Sequence, residues 1–149
     1  MKKWLSSLVL LLLVCMPVSV MGEGPNTILI NGDIAEIPEE MGSIKAFSDR
    51  TFVPVRFVLE YFNYSVSWDD KEKLVFGRND AGNVFVMQIG SPLLIVKYKN
   101  EQPENIVMDV EPILSYEEGR TYIPIRFLAQ ALGYNVGYDD LTGTVMLDK

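Results

Sequence analysis

The chain contains the same 21-residue pattern twice, and this repeat constrains the fold more than any other feature. The pattern reads RTFVPVRFVLEYFNYSVSWDD over residues 50–70 and RTYIPIRFLAQALGYNVGYDD over residues 120–140, an offset of 70 residues. Nine of the 21 aligned positions are identical, and most of the others exchange one apolar or aromatic residue for a similar one. Self-similarity of this kind indicates a duplicated structural unit. We expect the two copies to occupy about 27–77 and 85–147.

Each copy predicts one short helix. Pro54 and Pro124 suit the first helical turn, where a missing N–H costs nothing. Apolar residues then recur at helical spacing and predict one buried face per helix. These residues are Val55, Val58, Leu59 and Phe62 in the first copy, and Ile125, Leu128, Ala129 and Leu132 in the second. We expect about nine or ten residues per helix, with Asn63 and Gly133 at the C-terminal ends.

Alternating apolar and polar residues after each helix predict a β-hairpin. The apolar set is Tyr64, Val66 and Trp68 in the first copy and Tyr134, Val136 and Tyr138 in the second. Further strands are predicted at 27–30, 85–88 and 93–98, and Asn31-Gly32 is a strong hairpin turn signal. No long linker separates the copies, so we expect one shared core. The predicted fold is α+β, with short antiparallel strands and two short helices that form two strand–helix–hairpin units.

The composition excludes several functions. The net charge of −7 and the lack of a basic stripe argue against nucleic acid as a partner. The chain has no histidine, which removes Ser-His and Cys-His nucleophile systems. Strong copper and zinc sites need imidazole or thiolate ligands, and Cys15 is the only cysteine. We therefore predict no catalytic residue, no cofactor and no metal site.

Residues 1–22 are predicted to be a secretory signal peptide. Lys2 and Lys3 precede the apolar stretch 4–14, and Val20-Met21-Gly22 places small residues before a cleavage site at Glu23. The mature chain, 23–149, would then be secreted or associated with the cell wall. It would have no stable membrane span.

Two alternatives to cleavage after Gly22 stay open at this stage. The segment could remain as an uncleaved anchor, or the protein could be a lipoprotein attached through Cys15. A lipobox needs a small residue before its cysteine, and Val14 stands there, which argues against lipidation.

The repeated motif resembles the copper amine oxidase N-terminal-like domain, also called the stalk domain. The residues that carry the resemblance are Arg50, Thr51, Pro54, Arg56, Phe57, Trp68 and Asp69, with Arg120, Thr121, Pro124, Arg126, Phe127, Tyr138 and Asp139 in the second copy. In the amine oxidases this region is a stalk, separate from the domain that carries copper and the quinone cofactor. The resemblance therefore implies a non-catalytic module, here a free-standing exported version from a Gram-positive bacterium.

The acidic pairs Asp69-Asp70 and Asp139-Asp140 are the best candidates for chemistry. Paired carboxylates catalyse glycoside hydrolysis, and acidic turns can hold calcium, although the calcium-loop pattern is missing here. Aspartates in hairpin turns more often cap local N–H groups, and we favour that interpretation. Asn63-Tyr64-Ser65 is similar to the quinone-forming motif of the oxidases only in part, since Ser65 replaces the acid.

Arg56 and Arg126 occupy the first helical turn, where a cation is poorly placed beside the helix N-terminus. We expect each to be partly buried and to bond carbonyls or a carboxylate such as Asp69 or Asp139. The alternative is an anion or carboxylate-ligand site that is present twice.

The tyrosines allow two interpretations. Tyr61, Tyr98, Tyr116 and Tyr138 either pack against neighbouring strands or form a sugar-stacking surface. The function hypothesis is a non-catalytic interaction or scaffold module of the cell envelope, whose partner is an envelope protein or a cell-wall polymer. The alternative is a cell-wall or glycan-binding module, and a carboxylate-based hydrolase is the third hypothesis.

Overall fold

The computed structural model describes residues 27–139 and 141–149. The predictions for the signal peptide, its cleavage and Cys15 lie outside these residues. Within them the strands are β1 Thr27–Ile30, β2 Asp33–Glu36, β3 Lys45–Phe47, β4 Arg50–Pro54, β5 Tyr64–Asp69, β6 Leu74–Asn79, β7 Val84–Gln88, β8 Leu93–Lys97, β9 Glu104–Val107, β10 Ile113–Ser115, β11 Arg120–Pro124, β12 Asn135–Asp139 and β13 Thr144–Asp148. The helices are α1 Val55–Tyr61 and α2 Ile125–Ala131, with a short 3-10 turn at Glu39–Met41.

The strands form three sheets. The terminal sheet has the order β12-β13-β1-β2, the central sheet β10-β11-β4-β3, and the five-stranded sheet β5-β6-β7-β8-β9. All pairings are antiparallel except that of β1 with β13, where the two ends of the described chain run parallel. The architecture is therefore the predicted α+β class.

The central sheet joins the two copies of the motif through β4 and β11. Val53 lies opposite Ile123, and the two prolines each lie opposite the aromatic residue of the other strand, Pro54 with Tyr122 and Pro124 with Phe52. Val53 and Ile123 match under the 70-residue offset, and the same offset converts each of the other two pairs into the other. The register between β4 and β11 is therefore symmetric with respect to the two copies.

Both helices have seven residues and are shorter than expected. Pro54 and Pro124 occupy the N-cap position rather than the first turn. Asn63 and Gly133 adopt left-handed backbone conformations, with φ of 60° and 75°, and end the helices as predicted. The predicted inward residues Val55, Val58 and Leu59 of α1, and Ile125, Leu128 and Ala129 of α2, are all buried.

Each hairpin that follows a helix joins a hairpin from the other half of the chain. In the terminal sheet β12–β13 lies beside β1–β2. In the five-stranded sheet β5–β6 lies beside β8–β9, with β7 between them. Because the sheets exchange hairpins in this way, neither half can bury its own apolar faces alone.

One continuous core results, and residues of all three sheets and both helices contribute to it. The largest fully buried side chains are Tyr122, Phe52, Phe85, Ile28, Leu59, Met87, Leu94, Ile123, Leu128, Leu147, Val53 and Val55. Strands β3, β4, β9, β10 and β11 were not predicted from the sequence, and with them the whole central sheet was missed. No described helix has the length and hydrophobicity needed to cross a membrane.

Candidate functional site

A groove of about 580 Å³ opens between the β5–β6 hairpin and the β10–β11 turn; we call it the first groove. Val55, Val66 and Val75 form its apolar base, and Arg56 lies at the start of α1. The facing wall comes from the second copy. It includes Leu114, Tyr116, Glu118, Gly119, Arg120 and Thr121.

A second groove of about 540 Å³ lies between the β12–β13 hairpin and the β3–β4 turn. Ile125, Val136 and Val145 form its base, with Arg126 at the start of α2. Its facing wall comes from the first copy. It includes Ala46, Phe47, Ser48, Asp49, Arg50 and Thr51.

The two grooves correspond residue by residue under the 70-residue offset. On the side of the helix and the hairpin, six lining residues of the first groove have their counterparts in the second: Pro54 and Pro124, Val55 and Ile125, Arg56 and Arg126, Val66 and Val136, Trp68 and Tyr138, Val75 and Val145. On the facing walls Arg120 and Thr121 correspond to Arg50 and Thr51. The motif residues Arg50, Thr51, Arg56, Trp68, Arg120, Thr121, Arg126 and Tyr138 therefore meet in pairs at two concave surfaces.

The expectation of partly buried Arg56 and Arg126 is wrong. The Arg56 side chain is 60% exposed, and its Nε lies 3.9 Å from Oε1 of Glu60 one helical turn on. Arg126 is also exposed. Neither bonds Asp69 or Asp139 within the described residues. The reason is positional, because the first turn of each helix opens into its groove rather than toward the hairpin turn.

Arg50 and Arg120 take the role that we had assigned to Arg56 and Arg126. Arg50 donates from Nε and Nη2 to Oδ2 of Asp109, at 3.1 and 2.6 Å, and from Nη1 to the carbonyl of Asp49. This bonding by Arg50 lowers the pKa of Asp109. Arg120 donates to the carbonyl of Glu118 at 2.9 Å and to that of Glu40. These two arginines therefore fix the walls of the grooves.

The first aspartate of each acidic pair caps its hairpin turn. Oδ1 of Asp69 accepts hydrogen bonds from the backbone N–H groups of Lys71 and Glu72, at 2.9 and 3.0 Å. Asp139 accepts from the hydroxyl of Thr142 and the N–H of Leu141, and these bonds lower its pKa. The expected capping of local N–H groups is confirmed for Asp69 and Asp139, while Asp140 lies outside the described residues.

Asp70 has a different set of partners at the mouth of the first groove. It accepts a hydrogen bond from Nζ of Lys73 at 2.8 Å and one from Nε1 of Trp68 at 3.4 Å. The Lys73 bond is the main cause of its lowered pKa, with Trp68 second. The indole of Trp68 is thereby held at the groove wall.

The structure divides the four candidate tyrosines. Tyr98 is half-buried and donates its hydroxyl to the carbonyl of Ala131, while Tyr61 packs its ring edge-on against Phe62. Tyr116 and Tyr138 line different grooves and are 82% and 53% exposed. Tyr116 and Tyr138 are therefore the two of these four tyrosines that a ligand in a groove would contact.

Among the other motif residues, Pro54, Phe57 and Pro124 are buried, and Phe127 packs against the core. Tyr64, the partial match to the quinone motif, is a buried core residue whose pKa is raised by burial. These residues support the fold.

Sequence reasoning missed a polar cluster behind the first groove. Glu118 accepts hydrogen bonds from Nζ of Lys45 at 2.7 Å and from the hydroxyl of Tyr122 at 2.6 Å, and these bonds lower its pKa. Burial, together with the bond to Glu118, raises the pKa of Tyr122 to about 12. Lys45 and Glu118 lie outside the repeated motif, so the repeat gave no signal for them.

A sequence model of the copper amine oxidase N-terminal domain matches residues 27–147. This chain belongs to that family. The match covers most of the chain and includes both copies of the motif, both grooves and all three sheets, so the suspected resemblance is confirmed. Comparisons with curated proteins and with solved structures gave no significant match.

The family name raises the question of copper, and the side chains present do not fit it. The chain has no histidine, and its one cysteine, Cys15, lies outside the described residues. Within 27–139 and 141–149, no three His, Cys, Asp or Glu side chains are grouped so as to hold a metal ion. We therefore derive no chemistry from copper.

Proposed function

We propose that this member of the copper amine oxidase N-terminal domain family is an exported, non-catalytic binding module of the bacterial cell envelope. One observation carries the proposal: two grooves of matching chemistry are built from both halves of the chain. Grooves of this size fall in the range typical of ligand sites, roughly 300–1,000 Å³.

The arrangement of titratable groups supports binding over catalysis. A catalytic centre needs groups with perturbed pKa values that converge on one reacting position. Here the lowered pKa values of Asp70, Asp109 and Asp139 arise from bonds that each group makes to its own turn or to a neighbouring cation. The family assignment is also compatible with a non-enzymatic role, since the N-terminal domain of the amine oxidases is not their catalytic domain.

We infer that the two grooves arose when one strand–helix–hairpin unit was duplicated. Positions 70 residues apart correspond in the repeated motif, in the pairing of β4 with β11 and in the lining of the two grooves. A protein whose surface sites recur in this way suits a partner that presents the same chemical group more than once.

The envelope assignment rests on the amino-terminal sequence. A basic start, an apolar stretch and small residues before Glu23 have the order of a secretory signal. Mass spectrometry of the exported protein should show Glu23 as the first residue. A lipid on Cys15 would contradict both the cleavage and the unanchored state of the mature chain.

Binding and catalysis can be tested on residues 23–149. We expect the protein to sediment with purified Gram-positive cell walls or to retain a partner from an envelope extract. Supplied with copper and an amine, it should release no hydrogen peroxide above background. Measurable turnover, or failure to bind any envelope fraction, would contradict the proposed function.

A further inference from the structure

Both grooves combine two aromatic residues with an exposed arginine, even where the aromatic residues come from unlike turns. The first groove presents Trp68 and Tyr116, and the second presents Tyr138 and Phe47. Trp68 and Tyr138 occupy matching positions of the repeat, but Tyr116 and Phe47 do not. Tyr116 belongs to the turn after β10, whereas Phe47 is the last residue of β3. Different local structures thus bring an aromatic ring to each facing wall.

Three of these four rings are mostly exposed to solvent, while Trp68 is partly buried against the core. Tyr116 is 82% exposed, and Phe47 and Tyr138 are 54% and 53% exposed. Large apolar side chains that lie together at a concave surface usually mark a binding site. Facing aromatic rings above an apolar base fit a ligand with flat, partly apolar faces, and a sugar ring has such faces of C–H groups with hydroxyls at its edges.

Each groove also carries one exposed arginine. Arg56 lies 3.9 Å from Glu60 and is mostly exposed. In the described part of the chain, Arg126 makes no close ion pair, and it acts on Asp109 only through space. A guanidinium group has a planar fork of donors that matches a carboxylate. Arg50, which also lines the second groove, binds one oxygen of the Asp109 carboxylate through two nitrogens.

The overall charge limits how acidic the ligand can be. A net charge of −7 repels a dense polyanion, while one exposed arginine per groove attracts single carboxylates. The fitting ligand alternates neutral sugar faces with separate acidic groups. It also repeats, because the site is present twice, and two linked sites gain affinity for a polymer through effective concentration.

We propose that each groove binds a segment of an acidic glycan, with sugar rings between the two aromatic side chains and a sugar carboxylate on Arg56 or Arg126. This inference rests on the proposed function and names the ligand class of the same grooves. An extended peptide in the grooves is the competing outcome, since β3, β5, β10 and β12, which border them, are edge strands with one unpaired side.

The test uses residues 23–149 and a hexasaccharide in which glucuronic acid alternates with neutral N-acetylglucosamine (the acidic hexamer), compared with the same hexamer after its carboxyls are reduced to alcohols. Isothermal titration should detect two sites for the acidic hexamer and weaker binding of the reduced one. Arg56→Gln and Arg126→Gln should each remove or weaken one site by about tenfold, the size expected when a bond to a charged group is lost. Tyr116→Ala should weaken the first groove alone.

Matched controls separate the sites from general charge and folding effects. Arg78→Gln changes an exposed arginine on β6, and Phe76→Ala an exposed ring on the same strand; neither residue lines a groove. Both variants should bind the hexamer normally. Circular dichroism of every variant should match that of the parent protein.

Equal binding of the acidic and reduced hexamers, or equal effects of Arg78→Gln and Arg126→Gln, would overturn the glycan assignment. The glycan assignment would also be overturned if the groove variants lost binding to a peptide fraction of the envelope but still bound the hexamer. If the protein still sediments with cell walls in those cases, the proposed function stands and only its ligand class fails.

Discussion

The terminal sheet and the five-stranded sheet are built from corresponding hairpins but join them differently. In the terminal sheet β1 and β13 are parallel neighbours, with Ile28 opposite Val145 and Ile30 opposite Leu147. In the five-stranded sheet β7 lies between β6 and β8 and is antiparallel to both. A parallel pair cannot be joined by a short turn, whereas antiparallel neighbours can. In the five-stranded sheet one added strand, β7, connects the two hairpins along the chain, whereas in the terminal sheet they meet only through the pairing of the two ends of the described chain.

A second difference between the halves lies in the core. Leu59 of α1 corresponds to Ala129 of α2, and Gly77 of β6 corresponds to Leu147 of β13. The large residue is thus on the helix in the first half and on the strand in the second. A Cβ added at Gly77 would lie 3.2 Å from Cδ1 of Leu59, so the two first-half residues are in contact. Each half therefore keeps a similar total side-chain volume at this point of the core, but a different element provides the large side chain.

The largest expected effect comes from a charge in the shared core. Leu128→Asp should lower the free energy of unfolding by more than ~4 kcal/mol, because Leu128 is fully buried and a carboxylate there has no partner. Trp68 is the only tryptophan after residue 22 and lies in the first half, whereas Leu128 lies in the second. Urea unfolding should therefore be followed by tryptophan fluorescence and by circular dichroism together.

We expect the two signals to shift to lower urea by the same amount, because one core spans both halves. Leu128→Ala is the control for size alone and should cost about 2–5 kcal/mol. A fluorescence transition that stays in place while the circular dichroism shifts would show that the halves unfold separately.

The exchange of large and small residues predicts a rescue. Leu59→Ala should cost about 2–5 kcal/mol of unfolding free energy, because it leaves a cavity above Gly77. Adding Gly77→Leu imitates the Ala129 and Leu147 arrangement and should recover part of that loss. A double-mutant cycle from urea denaturation measures the coupling between the two changes. If the changes in unfolding free energy of Leu59→Ala and Gly77→Leu simply add in the double variant, the two residues do not compensate for each other and the proposed exchange is contradicted.

These contrasts show what the sequence could and could not predict. Helical spacing identified both helices because their buried residues recur regularly, and Asn63 and Gly133 marked the ends. The central sheet was missed because Phe52, Val53 and Pro54 form a continuous apolar run with no alternation, and the strand ends in a proline. The grooves could not be foreseen either, since each one combines a hairpin of one copy with a turn of the other. The motif includes several groove residues, but it does not indicate which of them lie together.

A smaller effect is expected from the cluster behind the first groove. Tyr122→Phe, which copies Phe52 of the first half, removes a hydrogen bond to a carboxylate and should cost about 1.5 kcal/mol near neutral pH. The folded pKa of Tyr122 is raised to about 12, above its ordinary value of about 10. The stability that this group contributes is therefore complete below pH ~10 and is lost as pH rises through about 12.

Glu118 makes stability depend on pH at the acidic end of the range. Its pKa is lowered, so its contribution is present above the ordinary glutamate pKa of about 4.3 and is lost as pH falls through the folded value. The difference in unfolding free energy between the parent and Tyr122→Phe should narrow at both extremes of pH. Phenolate absorbance provides an independent check, since one late-titrating tyrosine should disappear in the variant. A pH-independent difference would contradict the assigned bond.

The smallest expected effects concern the two prolines of the central sheet. Pro124 has φ of −58° and Pro54 has φ of −62°, which alanine adopts without strain, and neither proline has an N–H to lose. Pro54→Ala and Pro124→Ala should therefore each cost under ~1 kcal/mol, mainly through greater freedom of the unfolded chain. Because each proline lies opposite an aromatic residue of the other strand, at matching positions, the two costs should agree. Urea denaturation of both variants side by side measures this agreement. A clearly larger loss of unfolding free energy for Pro54→Ala would contradict this expectation. It would mean that the start of α1 contributes more to stability than the start of α2, although the two strands pair in a symmetric register.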